Sequence, residues 1–518
     1  MLLPFSLGFL VLSLTAICAK PLTSPADFSP VNVTICNGKK YLYSSLAGYG
    51  LLPSNARDKY GDTIGGIGSA IALDKKSIKF SKRSQSYSGI IYGLPDRGWN
   101  TQGTQNTQSR IHKFKFTFNV VGNATVENPA SPNFSFDILD TILLTGPDGT
   151  PLTGLDPTDT IVYPGFPPLP LAKYIGNGFG QSGSGGSRVS LDTEGLVLGD
   201  NNSYWISDEY AAYLYHFDSA GEMIQAISTP SALLPRRSTS NPTTGRANNQ
   251  GLEALTASPD GTHLYTMLQS ATMQDGGKSS SKRRNTRLLK YRIGGNTPTP
   301  VPEAEYVVQL PLLPSGKVAG QSEMLFISNT QFLVLARDSG AGHGQEKSES
   351  VYRNVDVVDV SGATNVLGTD ADGEAGQVAS REGVLNEAAI VPAVYCPWLT
   401  FNNNAQLNRF GVRNGGSRDA NLLNEKWEGL AIFPVHADDE VGGSGKQGGH
   451  YLVSFNDNDF ITQDGEHKSE IMGSAACADI PTGYINGGKF QYKDASGFNL
   501  DSQALVFNVQ LPIGATSV

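Results

Sequence analysis

Short apolar segments, many with alternating polar positions, recur along the chain and are separated by turns rich in glycine. Residues 110–118 show the alternation most clearly. This period of two is typical of a strand with one buried face. We therefore predict strands at 68–74, 89–96, 110–118, 194–198, 204–210, 213–218, 263–268, 287–292, 323–327, 332–338, 352–360, 428–433, 451–457 and 504–511.

The order of these segments repeats. An acidic residue or a turn precedes a first apolar strand, a second strand ends in an acidic or polar residue, and a third often carries aromatic side chains. Repeats of about 40–50 residues with several strands each indicate the blades of a β-propeller. We predict a single all-β propeller, with six blades favoured and seven possible.

Two further segments refine this prediction. Residues 40–44 are expected to pair with the tail strand 504–511, because closing the ring in this way removes exposed sheet edges. The longest insertion, about 362–424, should decorate one face of the ring. The alternative is a pair of β-sandwiches joined at the Gly/Ser-rich segment 176–187.

Composition supports short strands and excludes one class of partner. The chain has 59 glycines and 29 prolines, and 17% of its residues are charged, which favours tight turns over long helices. Its formal net charge of -9 argues against nucleic acid, whose phosphates are held by clustered Lys and Arg.

The N-terminus resembles a secretory signal. Residues 2–17 are almost all apolar and Ala19 offers a small residue for cleavage, so 1–19 is predicted as a signal peptide and 20–518 as the mature domain. No later apolar run is long enough to span a membrane. We expect a secreted, extracellular monomer with glycans at the sequons of Asn32, Asn123, Asn133 and Asn201.

Three cysteines remain after cleavage, namely Cys36, Cys396 and Cys477. They allow one disulfide in any of three pairings. Cys396–Cys477 is the preferred pairing, because it would tie the insertion to the C-terminal region. No pair has the CxxC spacing of a zinc site.

Acidic residues occupy matched places in the repeats. Glu194, Glu253, Glu323 and Glu428 each open a first strand, and first strands line the axis of a propeller, so these four should converge. Crowded carboxylates raise one another's pKa unless a cation or an arginine compensates them. Calcium suits such oxygen ligands. The predicted metal ligands are some of Glu194, Asp208, Glu209, Glu253, Glu323 and Glu428; the alternative is that these acids cap turns.

The ordered motifs resemble the phytase-like family, described by its esterase-like activity of phytase, over about 46–460. The resemblance implies a propeller fold and hydrolase chemistry. Gln269-Ser270 and Ala336-Arg337 depart from it, because the family often has an acid at each place. The matching segments, in chain order, are 61–69, 94–98, 192–195, 207–209, 249–255, 258–261, 322–323, 335–338, 427–430 and 456–458.

These observations predict a metal-assisted hydrolase of phosphate or other ester bonds acting on a small anionic or ester substrate. Arg97 and Arg337 would stabilise developing negative charge beside Glu253. Two alternatives remain: a lactonase-type calcium propeller and a non-catalytic extracellular binding protein. The sequence contains neither a GxSxG nor an HExxH motif. The predicted substrate-binding residues are Asp96, Asn249, Asp338 and Asp457.

Overall fold

The computed structural model describes residues 29–98, 106–175, 184–294, 299–442, 448–460, 465–467, 488–490, 500–512 and 514–515. Strands dominate this part of the chain. The single α-helical turn found there is α1 (Asn404–Leu407), and short 3-10 turns occur at Asp200–Asn202, Met273–Asp275, Asp370–Asp372 and Asn408–Phe410.

The strands follow the chain in groups. The strands before residue 190 are β1 (Asn32–Cys36), β2 (Lys39–Leu52), β3 (Ala70–Ser81), β4 (Ser86–Leu94), β5 (Arg110–Asn119), β6 (Phe134–Leu143), β7 (Asp159–Ile161), β8 (Leu169–Tyr174) and β9 (Gly186–Val189). The next three blades comprise β10 (Thr193–Leu198), β11 (Tyr204–Asp208), β12 (Tyr213–Phe217), β13 (Met223–Ser228), β14 (Leu252–Ala257), β15 (His263–Leu268), β16 (Asn285–Arg292), β17 (Val301–Gln309), β18 (Gly320–Phe326), β19 (Gln331–Arg337), β20 (Arg353–Asp359) and β21 (Val394–Thr400). The last strands are β22 (Trp427–Pro434), β23 (Gly449–Asn456), β24 (Gly465–His467), β25 (Gly488–Phe490) and β26 (Ser502–Gln510).

Five antiparallel blades surround one axis in the described part of the chain. Their strand orders are β3-β4-β5-β6, β10-β11-β12-β13, β14-β15-β16-β17, β18-β19-β20-β21 and β22-β23-β26-β2. The first strands contact one another in the cycle β3, β10, β14, β18, β22 and back to β3. The all-β propeller is therefore confirmed.

The blade number differs from the six that the sequence favoured. The N-terminal strand β2 and the tail strand β26 join the fifth blade, so they do not add a blade. Strands β7, β8 and β9 form a separate three-stranded sheet. The predicted closure of the ring by the two chain ends is confirmed, since Leu42 pairs with Gln510 and Leu52 with Ser502.

The disulfide joins Cys36 to Cys396, with 5.8 Å between their Cα atoms. The preferred Cys396–Cys477 pairing is therefore wrong, and Cys477 lies outside the described residues. The physical reason is the position of β1, which pairs with β2 at the edge of the fifth blade and contacts β21 of the fourth. The bond therefore connects the blade that closes the ring to its neighbour.

Residues 361–393, here called the strap, connect β20 to β21. The predicted insertion 362–424 thus contains a blade strand, β21. The strap packs on β16 and on the loop before it. Arg287 of β16 donates to the carbonyls of Ala371 (2.9 Å) and Gly376 (3.0 Å) in the strap. Asp275 accepts from the backbone amides of Val378 and Ala379. The strap therefore holds the loop that begins at Gln269, beside the site described below.

A buried carboxyl makes this attachment depend on pH. The pKa of Glu305 is raised from 4.5 to about 7, because burial outweighs the lowering effect of Arg287 and a hydrogen bond with Asp372 acts in the same direction as burial. A carboxyl with a raised folded-state pKa stabilises the fold below pH 4.5, and this stabilisation is lost as the pH rises through 7.

Wild type should lose unfolding free energy as the pH rises from 4.5 to 7.5. We expect Glu305→Gln to lose about 2–3 kcal/mol less than wild type over this range. Urea denaturation of both proteins across this range measures the difference, because titrations common to both cancel. Parallel pH profiles for the two proteins would contradict this assignment.

The predicted glycosylation sites differ in exposure. Asn32, Asn123 and Asn201 are exposed and stay predictions. Asn133 is buried, and its Nδ2 donates to the carbonyls of Ala47 (3.1 Å) and Asn119 (2.8 Å). Its amide is therefore unavailable to a glycan in the folded chain, and the sequon prediction is corrected at this position.

Candidate functional site

A β-bulge at the start of an inner strand accompanies each of the four predicted ring glutamates. The pairing register shifts between Thr193 and Leu196, Leu252 and Ala254, Gln321 and Glu323, and Trp427 and Gly429. A bulge leaves its extra residue out of the ladder and re-aims the side chain. The unpaired residues include Glu194, Glu253 and Glu428, whereas the unpaired residue of the fourth blade is Ser322 and Glu323 stays in the ladder opposite Leu335.

Each blade also contributes a residue from the end of its second strand. These are Asp96, Glu209, Gln269, Arg337 and Asp457. In the first blade, Ser69 precedes β3, and its Oγ donates to Glu194 Oε2 at 2.6 Å. Ser69, Gln269 and Arg337 thus contact Glu194, Glu253 and Glu428, respectively.

Glu194, Glu209 and Glu253 form the acidic group. One carboxylate oxygen of each lies within 4.8 Å of one from each of the others. A second such set joins Glu194 to Asp96 and Asp192. All of these residues are buried.

Glu253 has a buried carboxylate oxygen without a hydrogen-bond donor in the described part of the chain. Its side chain is part of a residue only 3% exposed, its Oε1 accepts from Gln269 Nε2 at 2.6 Å, and its Oε2 receives no hydrogen bond from any described residue. A buried oxygen without a donor is costly unless a proton or a cation compensates it. The acidic group is therefore a candidate centre for a cation.

Gly251 positions Glu209 in this group. Its backbone amide donates to Glu209 Oε1 at 2.8 Å. A Cβ on residue 251 would lie 2.3 Å from the Cα of Glu209, so only glycine permits this approach. The glycine that opens the Gly-Leu-Glu motif is thus required by the neighbouring blade.

Electrostatic repulsion is strong in the acidic group. Burial raises the pKa of Glu194 and of Glu253 well above the ordinary value, and the charge of the other carboxylates raises each further. Burial likewise raises the pKa of Asp192, against the lowering effect of Arg97. Both effects disfavour bare anions here, and a divalent cation would relieve them.

Lys426 lies among a second set of carboxylates, here called the lysine group. Its Nζ is 3.1 Å from Asp96, 2.5 Å from Asp457 and 3.0 Å from Asp459. One oxygen of each of these three carboxylates lies within 4.8 Å of one from each of the others, as in the acidic group. Asp96 links the lysine group to the acidic group, because it also lies in the set with Asp192 and Glu194.

The two predicted arginines contact the acids differently. Arg337 pairs with Glu428 and receives further charge compensation from Glu425 at 4.0 Å. Arg97 lies 3.5 Å from both Asp156 and Asp192. Each arginine side chain keeps 11–14% of its surface exposed, so both can contact a molecule entering from solvent.

Two predicted site acids have carboxylates that accept hydrogen bonds from the backbone. Asp208 accepts from the backbone amides of Asp192 and Ala211. Glu323 accepts from Met324 at 2.8 Å and more weakly from Leu255 at 3.4 Å. Neither residue belongs to the sets of closely spaced carboxylates found among the described residues, and the metal roles predicted for them stay predictions.

The predicted substrate-binding residues also separate. Asp338 binds Ser350 Oγ and the amide of Val351, so it holds the loop before β20. Asn249 is exposed in a turn, with a φ of 52°, and lies two residues before the Gly251 that contacts Glu209. Asp96 and Asp457 lie in the lysine group.

The sequence-based list omitted residues that the fold brings into the site. Asp192, Lys426 and Asp459 were not selected, although each lies within two residues of a predicted site acid. Gln269 was noted as the loss of an acid, yet its amide donates to Glu253. The available signal was therefore proximity in sequence to a selected acid.

Comparison with known families decides what this arrangement belongs to. The profile of the phytase-like family, described as esterase-like activity of phytase, matches residues 64–460. The chain belongs to this family. All of the acidic group and all of the lysine group lie within the matched region, so the predicted resemblance is confirmed.

A relative of the phytase-like chain is known from the fungus Arthroderma benhamiae. This uncharacterized secreted protein is 44% identical over 497 residues, which cover 90% of the present chain and 96% of the relative. The prediction of secretion is thereby confirmed. No helix within the described residues has the length and apolar character needed to cross a bilayer.

Solved structures give only distant matches to this phytase-like chain. A putative 6-phosphogluconolactonase from Bacteroides uniformis is 9% identical, with a TM-score of 0.25, over 94% of this chain and 99% of its own. A periplasmic gluconolactonase from Pseudomonas aeruginosa is 12% identical, with a TM-score of 0.22, over 70% and 98%. At these scores the matches decide neither fold nor activity.

Proposed function

We propose that this protein is a secreted hydrolase that cleaves phosphate or other ester bonds with the help of one divalent cation, calcium, in the acidic group. The unpartnered, buried Oε2 of Glu253 carries the proposal, because it lies among Glu194 and Glu209 and lacks a donor. Membership of the phytase-like family supports hydrolase chemistry.

Oxygen-only ligands favour calcium among the common ions. Calcium takes 6–8 oxygen ligands in flexible geometry, whereas zinc prefers nitrogen and sulfur in a tetrahedron. Glu194, Glu209 and Glu253 would supply carboxylate oxygens, with Asp192 beside them and water completing the shell. A cation there supplies Lewis acidity toward a phosphoryl or carbonyl oxygen and acidifies bound water.

The cationic side chains would bind the other end of the substrate. Arg97, Arg337 and Lys426 each have side chains that are 11–14% exposed, in contrast to the nearly inaccessible glutamates. A guanidinium can hold a phosphate or carboxylate oxygen through two N–H donors and stabilise charge that develops on it. This placement supports a small anionic ester as substrate.

The test compares Glu253→Gln with Glu323→Gln on a panel of phosphate esters, carboxyl esters and lactones with calcium present. Both glutamates lie at the start of an inner strand beside a register shift. Glu253 is the extra residue of its bulge, whereas Glu323 pairs with Leu335 and accepts from backbone amides, which a glutamine oxygen can still do. We expect Glu253→Gln to lose at least about 100-fold in kcat and to lose the rise in Tm on adding calcium. Glu323→Gln should keep both.

Each outcome selects one function. Turnover of lactones alone would assign the lactonase alternative, and calcium binding with no turnover of any substrate would assign the binding protein. Equal turnover by wild type and Glu253→Gln would place the chemistry outside the acidic group. A wild-type Tm that neither calcium nor chelator changes would refute the metal.

A further inference from the structure

The environment of Lys426 resembles the coordination shell of a metal ion. Its Nζ lies 3.1, 2.5 and 3.0 Å from carboxylate oxygens of Asp96, Asp457 and Asp459, and 3.9 Å from Glu428 Oε2. Oxygens of the first three lie within 4.8 Å of one another, as they would around a bound ion. The ammonium therefore stands where these carboxylates would hold a metal.

The backbone fixes Lys426 in this position. Its carbonyl accepts from the amide of Asp457 at 2.6 Å, and the next residue, Trp427, begins β22 and is fully buried. The lysine and one of its carboxylate partners are thus held on paired strands. Reaching the group costs the side chain little freedom, so its occupancy does not depend on the concentration of any ion in the medium.

We propose that Lys426 is a built-in cation that replaces a metal ion at Asp96, Asp457 and Asp459, and that it restricts calcium to the acidic group. The proposal extends the proposed function, in which one calcium ion acts. It makes the site a combination of one divalent ion and one ammonium, in place of the two metal ions that many phosphate-ester hydrolases use to clamp attacking and leaving oxygens.

Charge explains why the lysine excludes a metal and why its loss would admit one. An ammonium already compensates the carboxylates, and a divalent cation would have to displace it against direct repulsion. Without the ammonium, three buried or nearly buried carboxylates face one another uncompensated. Calcium accepts such oxygens and fills the remaining positions with water.

The experiment counts calcium per chain by equilibrium dialysis with atomic emission, in wild type, Lys426→Gln, Lys426→Arg and Lys59→Gln. Lys59 is the control, because it pairs with a single carboxylate, Asp140, and is half exposed. We expect Lys426→Gln to bind one more calcium per chain than wild type, whatever number wild type binds. Lys426→Arg and Lys59→Gln should gain none, and Asp459→Asn added to Lys426→Gln should remove the extra ion.

The outcomes separate this inference from the proposed function. A folded Lys426→Gln with an unchanged calcium count would overturn it, as would failure of this variant to fold in excess calcium while Lys59→Gln folds. A wild type that binds no calcium, with one ion gained in Lys426→Gln, would refute the proposed metal in the acidic group and support the role of Lys426.

Discussion

Replacing Arg287 with methionine is expected to lower the free energy of unfolding by about 3–5 kcal/mol. Its guanidinium lies 2.8 Å from both Asp275 and Glu305, and all three side chains are inaccessible to solvent. The substitution would leave two buried carboxylates without their cation. It would also remove the donors to the carbonyls of Ala371 and Gly376, which hold the strap.

The matched control is Arg292→Met, five residues along the same strand. Arg292 is 39% exposed and pairs with Glu303, so its loss should cost about 0–1 kcal/mol. Urea denaturation measures both proteins. Protease sensitivity of the strap should rise in Arg287→Met alone. Equal small losses would show that the buried triad contributes little beyond its packing.

Removing the disulfide is expected to cost about 2–5 kcal/mol. Cys36 and Cys396 are separated by 360 positions, so the bond closes most of the chain into one loop and strongly restricts the unfolded state. It also clamps β1 to β21 across the boundary between the fifth and fourth blades.

Three variants test this interpretation, namely Cys36→Ser, Cys396→Ser and the double substitution. Each single change already breaks the bond, so the double variant should be no less stable than the weaker single variant. Denaturant midpoints with and without reductant give the comparison, and reduction should lower only the wild-type midpoint. Additive losses in the double variant would mean that the two side chains act independently.

The hydrophobic pattern predicted the fold class and most strand positions, because outer strands such as β5 alternate in burial and inner strands such as β14 are short apolar runs buried on both faces. It also predicted ring closure, since two unpaired segments at the chain ends needed partners. The number of blades was wrong because the assignment of end strands to an existing blade depends on pairing between distant residues. The strands β7, β8 and β9 are equally regular locally, yet they stand outside the ring.

The sequence predicted where the site residues lie better than it predicted what each residue does. Matched positions correctly brought Glu194 and Glu253 together, because blade symmetry places equivalent residues around one axis. The position of the bulge decides which residue leaves the ladder, and this residue is Glu253 in the third blade but Ser322 in the fourth. Glu323 and Glu253 therefore look alike in sequence and differ in structure. Lys426 escaped selection because the search was for acids.

The closure of the ring by β2 has a consequence for biosynthesis. β2 is synthesised long before its partner β26, since Leu52 pairs with Ser502. At a translation rate of roughly 5–20 residues per second, roughly 20–70 s pass between the synthesis of Cys36 and that of Cys396. Throughout that interval β2 offers an open edge to other chains. We therefore expect chaperones of the secretory pathway to cover β2 until β26 has been synthesised.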